Sequence, residues 1–364
     1  MCVALLVPTE ALERPLRVVA IGGGTGLSTL LRGLKQYVPI PDRRRSSRPE
    51  IVLDPRDAGT SHLISELAAV VTVTDDGGSS GRLREDLNML PPGDIRNCMV
   101  ALSEDEHLLA RLFKYRFDHG ELEGHSFGNL FLAALSHVTG DFAQAVQVSS
   151  QILAIRGRIF PATTENVTLA ALMDDGSIVR GETNITHSKQ TITELMLEPA
   201  QVHPLPETLE AIANADLITL GPGSLYTSLV TNLLVHGIPE AIASSRATKV
   251  FICNLMTQAN ESLRLTASQH IERILAHTTG DARNQIFDYA LINTSAISPA
   301  TLAKYAREGQ EPIVNDLDRV RRLGIQPLTG NFLHEGEVVR HDYDQVAKSL
   351  LSLCLPRVTA THQV

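Results

Sequence analysis

Apolar runs typical of buried strands alternate along this chain with glycine-rich turns and apolar-periodic helices. The first run covers residues 17–21, passes into four glycines within five positions, and continues as a helix predicted over residues 28–36. The same order of strand, turn and helix recurs over residues 215–234, where the turn reads Gly221-Pro222-Gly223-Ser224. Alternation of this kind favours a mostly parallel sheet with helices on both faces. The pattern therefore predicts the α/β class.

Further apolar runs predict the remaining elements. Strands are expected at residues 67–74, 249–255 and 290–293, with short strands at 167–173, 177–181 and 201–204. Ser126 and Asp141 are predicted to cap helices that end near residues 135 and 153, and Asp94 a helix that ends near 102. Helices are also expected over residues 104–116, 268–276 and 301–307.

Changes in composition divide the chain into segments. Residues 1–16 are predicted to be an N-terminal extension, 17–330 a single domain, and 331–364 a C-terminal segment. Within the domain, residues 40–66 are rich in Pro, Arg, Asp and Ser and are predicted to be an inserted loop, with 51–53 as a candidate strand. Residues 85–205 are predicted to elaborate the core with helices and small strands.

The overall composition is typical of a folded, soluble protein and disfavours nucleic acid as a partner. The 364 residues are 43% hydrophobic and 20% charged, and the net charge is −9. An acidic chain lacks the basic surface that duplex binding requires, and the absence of Trp disfavours base stacking on single strands. The basic run at residues 43–48 is interpreted as a solvated loop, with contact to an anionic partner as the alternative.

Cysteine spacing and hydropathy predict a cytoplasmic protein without a transmembrane segment. Cys2, Cys98, Cys253 and Cys354 are far apart and form no C-x-x-C pair, so neither a zinc site nor a disulfide framework is expected. No apolar run approaches the roughly 18 residues that cross a bilayer. Residues 2–7 are apolar but short and lack a basic flank, so we do not expect a signal peptide.

The first glycine turn, Gly22-Gly23-Gly24-Thr25-Gly26, is predicted to bind phosphate. Glycines let the backbone approach a ligand closely, and the helix that follows offers unpaired N–H groups and a positive dipole end. A strict dinucleotide fingerprint is incomplete, because Thr29 stands where the third small residue belongs. The P-loop lysine is also missing. A purely structural tight turn is the alternative.

A second group of polar residues follows the next predicted strand. Asp75 and Asp76 lead into Gly77-Gly78-Ser79-Ser80-Gly81-Arg82. In an open α/β sheet they would lie at the carboxyl edge beside the first turn, where an acid can bind a ribose hydroxyl or hold Mg²⁺ against phosphate. An ordinary Asp-Gly turn is the alternative, and Arg82 or Arg84 could pair with phosphate.

The second glycine turn and the loop after residue 253 are expected at the same edge. Ser224 and the amides of Leu225 and Tyr226 would face a second anionic group or a ribose. Asn254, Thr257 and Gln258 leave the end of another core strand, where polar side chains commonly reach a ligand. Each signal is weak alone, but several polar loops that converge on one sheet edge predict a binding site.

Two further segments offer polar residues at helix starts without an evident catalyst. His125 and Asn129 are four residues apart, and either a capping role or a ligand contact is open for them. Asp94 and Arg96 follow a pair of prolines. No pair of nucleophile and base, no metal-binding spacing and no G-x-S-x-G elbow is visible in the sequence.

At these residues the chain resembles the gluconeogenesis-factor (YvcK-like) family, a branch of the superfamily that contains 2-phospho-L-lactate transferase (CofD-like). The resemblance covers about residues 17–310, in the motifs at 22–31, 71–84, 91–97, 124–135, 161–166, 221–228 and 254–258. Two departures stand out: the insertion, and Ala259-Asn260-Glu261-Ser262 where the family more often has Pro-Gly-Glu-Thr.

The resemblance implies a Rossmann-like core and a UDP-sugar ligand, such as UDP-N-acetylglucosamine, in a protein that links carbon metabolism to envelope synthesis and cell shape. It brings no established reaction and requires no cofactor. The alternative is a Mg²⁺-dependent phospholactyl-type transferase, in which Asp75 and Asp76 would hold the metal. A dehydrogenase is disfavoured by Thr29, and a homo-oligomer is left open. The predicted ligand-binding residues are Gly22, Gly23, Gly24, Thr25, Gly26, Asp75, Asp76, Ser79, Ser80, Arg82, Asn129, Gly221, Gly223, Ser224, Leu225, Asn254, Thr257 and Gln258.

Overall fold

A computed structural model describes residues 14–39, 62–103, 108–258, 261–278 and 286–355. Most of the predicted insertion, residues 40–61 with the candidate strand at 51–53, lies outside the described residues, as do 104–107 of the helix predicted over 104–116. None of the helices in the described ranges is long and apolar enough to cross a membrane.

The strands are β1 (Leu16–Gly22), β2 (Ile64–Val71), β3 (Arg158–Pro161), β4 (Thr168–Met173), β5 (Ile178–Arg180), β6 (Ile192–Glu198), β7 (Leu217–Leu220), β8 (Thr248–Ile252), β9 (Tyr289–Asn293), β10 (Gln326–Gly330), β11 (Leu333–Glu335) and β12 (Val339–His341). Within the described ranges, seven of them form a parallel sheet in the order β10-β9-β8-β7-β1-β2-β3. This confirms the predicted α/β, Rossmann-like class.

The helices are α1 (Gly24–Leu34), α2 (Gly78–Leu87), α3 (Gly93–Leu102), α4 (Leu108–Lys114), α5 (Phe127–Thr139), α6 (Phe142–Leu153), α7 (Glu182–His187), α8 (Pro206–Asn214), α9 (Thr231–Leu233), α10 (Ile238–Ser244), α11 (Ala267–Ala276), α12 (Pro299–Arg307), α13 (Leu317–Arg322) and α14 (Tyr343–Leu353). A 3₁₀ turn covers Lys35–Tyr37 and a π-helix covers Leu225–Val230.

The middle of the sheet is apolar on both faces because helices cover both. Residues 18–21 of β1 are at most 2% exposed, and residues 67–71 of β2 and all of β7 are buried as well. The register pairs Ile21 with Val70 on one side and with Leu220 on the other, so the three strands end at the same level. The loops after these strands therefore meet at one edge.

Local capping confirms two of the predicted helix starts and corrects a third. Ser126 accepts a hydrogen bond from the Asn129 amide, and Asp141 from the Gln144 amide, at the starts of α5 and α6. Asp94 was expected to cap its helix, but it lies in the first turn of α3, after Pro92 at the cap position. Its carboxyl faces the first glycine turn instead, as described below.

The small strands also correct the prediction. The strand expected at residues 201–204 is absent, and β6 pairs with β4 instead. The burial of β6 alternates only in part. The loop after Pro199 makes isolated hydrogen bonds instead of a ladder: the His236 amide donates to Val202 O, Thr163 Oγ1 donates to His203 O, and the His203 amide donates to Glu165 Oε1. Strands β5, β4 and β6 form a separate antiparallel sheet, and α14 packs against α1.

Candidate functional site

The two glycine turns meet at the centre of the sheet, between β1 and β7. The strand order runs outward in both directions from this pair, which makes it the topological switch point where open α/β sheets bind ligands. The Gly221 amide donates to Ile21 O at 2.9 Å. A Cβ at Gly26 would overlap the carbonyl oxygen of Pro222 and lie 3.0 Å from the amide nitrogen of Gly223. The two predicted phosphate-binding turns therefore pack against each other, and this close packing requires a glycine at position 26.

The first glycine turn leads into the start of α1, which is accessible to solvent. Helix α1 begins at Gly24, four residues before the predicted start, so Gly24, Thr25 and Gly26 form its first turn. Thr25 is exposed and Gly26 half-buried. Thr29, the residue that breaks the dinucleotide fingerprint, is buried and its hydroxyl donates to Thr25 O at 2.8 Å. The amides at this helix start are placed to bind an anion.

The second turn is held by side chains from the loop after β8. The Asn254 side chain makes two hydrogen bonds to the backbone of Gly223: its Nδ2 donates to Gly223 O at 2.7 Å, and its Oδ1 accepts from Gly223 N at 3.3 Å. Gln258 Nε2 donates to Ser224 Oγ at 2.9 Å, while Gln258 Oε1 is buried and has no protein partner among the described residues. These side chains fix the turn and leave one acceptor for a ligand.

One of the amides expected to face an anion is already bonded. Glu261 Oε2 accepts from the Tyr226 amide at 3.1 Å, and Oε1 accepts from Thr227 Oγ1 at the same distance. Burial raises the pKa of the Glu261 carboxyl. The Leu225 side chain is fully buried, so any contact of this residue with a ligand would come from its backbone. The Thr257 hydroxyl is committed as well, because it accepts from the Glu311 amide at 3.0 Å.

A cavity of about 320 Å³ opens beside the two turns; we call it the switch-point cavity. Both turns and the loop after β8 line it, through Thr25, Gly26, Thr29, Pro222, Gly223, Ser224 and residues 254–258. Its opposite wall was not predicted and consists of Tyr305, Gln310 and residues 338–341. Arg340 brings a basic group to that wall from β12, a short strand with no recognisable motif, whereas burial lowers the pKa of the neighbouring His341 to about 4 and its Nε2 lies 3.1 Å from Cys253 O. Only the fold brings them here.

The other side of the first turn is acidic. Asp94 lies against it, such that a Cβ at Gly23 would be 2.9 Å from Asp94 Oδ2. Burial, the neighbouring charge of Asp75 and a weaker opposing bond from the Gly24 amide set the pKa of Asp94 to about 7. Burial, with the charges of Asp75 and Asp94, also raises the pKa of Glu182 well above its usual range. We call Asp75, Asp94 and Glu182 the acidic corner; no motif or spacing had pointed to Glu182.

The two adjacent aspartates do different things. Asp75 Oδ1 accepts from the Gly77 amide at 3.0 Å, and Oδ2 faces Gly93 beside Ser80. Asp76 instead turns to α7, where its Oδ1 accepts from the Thr183 amide at 2.8 Å and from Thr183 Oγ1 at 2.6 Å. The pair therefore does not converge, and no group of three or more potential metal ligands occurs among the described residues.

Ser79 and Asn129 meet each other but lie outside the lining of the switch-point cavity. Ser79 Oγ is 2.9 Å from His125 Nδ1 and accepts from Asn129 Nδ2 at 3.1 Å. Burial lowers the pKa of His125. Asn129 Oδ1 is buried and has no partner within the described ranges. This contact between a hydroxyl and an imidazole was invisible in the sequence because 46 positions separate the two residues.

The predicted arginine, Arg82, does not line the switch-point cavity. Arg82 Nη2 donates to Glu123 O at 2.7 Å and is exposed. Arg84 contacts Asn166 and the carbonyl of Val167, and burial lowers the pKa of its guanidinium. Neither Arg82 nor Arg84 lines the switch-point cavity, whereas Arg340, which was not predicted, does.

Comparison with known proteins identifies relatives of the chain. A family model described as 2-phospho-L-lactate transferase CofD matches residues 18–333. A gluconeogenesis factor from Halalkalibacterium halodurans is 44% identical over 336 residues, which cover 92% of this chain and 95% of that protein. A gluconeogenesis factor from Bacillus subtilis is 41% identical over 339 residues, which cover 93% and 98%.

A solved structure agrees with the sequence comparisons. The crystal structure of a protein from Bacillus halodurans superposes with a TM-score of 0.82 at 43% identity, and the match covers 93% of this chain and 99% of that chain.

Proposed function

This chain belongs to the 2-phospho-L-lactate transferase CofD family, and from that premise we propose that it is a cytoplasmic regulatory protein that binds a UDP-sugar such as UDP-N-acetylglucosamine. Its relatives are named gluconeogenesis factor, in agreement with the predicted resemblance. The proposed role is to report the level of this sugar nucleotide and so to link carbon metabolism with envelope synthesis and cell shape.

The junction of the two glycine turns is the observation that supports this proposal most directly. It places the first turn of α1 and the Ser224 turn beside one cavity, on the side away from the acidic corner. A diphosphate would bind the amides of Thr25 and Gly26 and the Ser224 hydroxyl, with Arg340 as the counter-charge. The polar groups of Gln258 and Asn254 lie where a base or ribose would follow.

Calorimetry tests the proposal with four ligands: UDP-N-acetylglucosamine, UDP-glucose, NAD and GDP. We expect the UDP-sugars to bind and NAD to bind more weakly or not at all. Arg340→Ala should weaken UDP-sugar binding about tenfold, the effect of one lost charge-assisted contact. The matched control is Arg322→Ala, an exposed arginine outside the cavity. Failure of every nucleotide-sugar to bind would overturn the proposal.

A transferase remains the second candidate, favoured by the family description and by the acidic corner beside the first turn. Bound Mg²⁺ would neutralise charge on a leaving phosphate. Asp76 does not fit the predicted metal role, because its Oδ1 already accepts two hydrogen bonds from Thr183. Incubation with a deazaflavin acceptor, a nucleotide-activated phospholactate and Mg²⁺ tests this candidate, and phospholactyl transfer would establish it over the regulatory function.

A further inference from the structure

Gln258 brings to the wall of the switch-point cavity an acceptor that no described residue satisfies. Its side chain lines the cavity, and its Oε1 is shielded from solvent without a hydrogen-bond donor among the described residues. A buried carbonyl oxygen without a donor costs free energy, so folded proteins pair such atoms with protein groups, water or a ligand. The orphaned oxygen therefore indicates where the cavity receives a donor.

The other atom of the same amide fixes which way the side chain faces. Gln258 Nε2 donates to Ser224 Oγ at 2.9 Å. The Ser224 hydroxyl accepts this bond and keeps its own proton for a phosphate oxygen, which can only accept. An amide turned the other way would take that proton from the phosphate. The role proposed for Ser224 thus requires that Gln258 leave its oxygen, and not its nitrogen, without a protein partner.

The loop that carries Gln258 is held on both sides of this residue. Thr257 N donates to Glu311 O at 2.7 Å, and Glu311 N donates to Thr257 Oγ1 at 3.0 Å. Gln258 N donates to Ser262 Oγ at 3.0 Å, and Ser262 N donates to Gln258 O at 3.0 Å. The amide is therefore ordered before a ligand arrives, so a bond to Oε1 costs little ordering of the protein.

The chemistry of a sugar nucleotide limits what this oxygen can face. Phosphate oxygens only accept hydrogen bonds, so the diphosphate is not its partner. The sugar hydroxyls have acceptors in the acidic corner, on the other side of the first glycine turn. The ribose and the base remain for the cavity side. Ribose hydroxyls are donors next to the phosphate, whereas the ring N–H of uracil lies on the edge of the base far from the ribose.

We propose that Gln258 Oε1 accepts a hydrogen bond from a ribose hydroxyl of the bound nucleotide. This inference rests on the proposed function, since it takes Ser224 as a ligand of the diphosphate. Because Nε2 of the same amide contacts Ser224, Oε1 lies beside the part of the nucleotide that is attached to the phosphate. That part is the ribose.

The contact makes the site selective for the intact ribose. In the empty site a water molecule can donate to Oε1, and the ribose hydroxyl replaces this bond when the nucleotide binds. A nucleotide without the hydroxyl displaces the water and leaves the buried oxygen unpaired. Sites built to bind a hydroxyl reject analogues that lack it for this reason. Gln258 is therefore a specificity-determining residue.

Calorimetry on the full chain tests the contact with UDP-N-acetylglucosamine and its 2′-deoxyribose and 3′-deoxyribose analogues. We expect one of the two analogues to bind the wild type about tenfold more weakly than the parent. Gln258→Met keeps the length of the side chain and removes the acceptor. This variant should bind the parent at least as weakly as the wild type binds that analogue, and it should not distinguish the two ligands.

The matched control is Gln310→Met, the same substitution on the opposite wall of the cavity. Whatever its effect on affinity, the ratio between the parent and the analogue should stay at the wild-type value. The analogues also probe the wild-type chain directly, so that result does not depend on how well a variant folds.

The possible outcomes separate this contact from the proposed function. Equal affinity of the wild type for the parent and both analogues would overturn the contact, as would the same loss in the wild type and in Gln258→Met. A parent methylated at uracil N3 tests the base: a loss that Gln258→Met abolishes for this ligand alone assigns the donor to the base and contradicts the ribose. If the parent itself does not bind the wild type, the proposed function fails, and the contact with it.

Discussion

The two sides of the first glycine turn differ in how their polar groups are satisfied. On the cavity side, neutral amides and hydroxyls bond to each other, as Asn254 does with Gly223 and Gln258 with Ser224. On the other side, the charge of Asp75 helps raise the pKa of both Asp94 and Glu182, and that of Asp94 helps raise the pKa of Glu182. One loop thus separates a neutral, hydrogen-bonded wall from an acidic one.

This difference indicates which part of a ligand each side would accept. Amides at a helix start stabilise a bound phosphate and carboxylates repel it, so we expect the phosphate on the cavity side. Carboxyls accept hydrogen bonds from hydroxyls, so sugar hydroxyls belong beside the acidic corner. The proposed sugar nucleotide combines both groups in one molecule, and the variants below test the two sides separately.

The largest effect is expected where the two sides are joined. Gly26→Ala puts a methyl group onto the Pro222 carbonyl, a backbone atom that cannot move without opening the turn. We expect a loss of about 3 kcal/mol in the free energy of unfolding and no measurable ligand binding. Gly22→Ala is the control in the same turn, because its added Cβ would be 3.5 Å from its nearest neighbour. Denaturant unfolding that shows equal loss in both variants would contradict the junction.

The acidic corner should appear in the pH dependence of stability. The pKa of Asp94 is raised from 3.8 to about 7, so the folded protein keeps a proton that the unfolded chain releases. Its contribution to the free energy of unfolding therefore falls as the pH rises from about 4 to about 7. Asp94→Asn removes the charge and should be more stable than the wild type by about 2 kcal/mol at pH 8, with little difference at pH 4.

Urea unfolding at the two pH values measures this difference. Asp86→Asn, at an exposed carboxyl of α2, is the control and should change stability by less than about 0.5 kcal/mol at either pH. A stabilisation by Asp94→Asn that is the same at pH 4 and pH 8 would show that charge at position 94 is not the cause.

Asp76 should behave as part of the fold. Asp76→Ala removes two hydrogen bonds that hold the start of α7, which should lower the free energy of unfolding by about 1–2 kcal/mol. A double-mutant cycle with Thr183→Val should recover, as coupling energy, the share of that loss that belongs to the hydroxyl bond, because the amide bond persists in the valine variant. Additive effects of the two substitutions would mean that the bond from the Thr183 hydroxyl contributes nothing to stability.

The smallest effect is expected on the neutral side. Asn254→Ala removes the two hydrogen bonds between the Asn254 side chain and the Gly223 backbone without adding charge or volume. We expect UDP-sugar affinity to fall about fivefold, or about 1 kcal/mol, through a less ordered Ser224. Calorimetry measures it, with Asn315→Ala as the control because Asn315 bonds to Asn293 O outside the cavity. A larger loss than in Gly26→Ala would reverse the ranking.

The elements of the core were predictable because they are long, apolar and bounded by turn residues. Strands β1, β7 and β8 and the caps Ser126 and Asp141 fall where the pattern places them. Strand β6 was missed because its alternation is incomplete, and its pairing with β4 decides its structure. The residues of β6 themselves do not indicate which strand it pairs with.

The candidate site was predictable in part for the same reason. Glycine turns after strands are local signals, and both turns were located correctly in sequence and are in contact. Arg340 and Glu182 come from elements with no motif of their own, and Asp94 lies in a motif that predicted only a helix cap, so their roles depend on which segments the fold brings together. Asp75 binds the Gly77 amide and Asp76 the Thr183 amide, and the sequence Asp-Asp alone does not predict that two adjacent residues have different partners.

By itself, the sequence determined the class of fold, the family and the two turns, because these depend on hydrophobic period, glycine position and ordered motifs. Tertiary structure decided the junction of the turns, the remaining lining of the cavity and the raised pKa of Asp94. These depend on packing, distance and burial between residues far apart in the chain, and no local pattern encodes them.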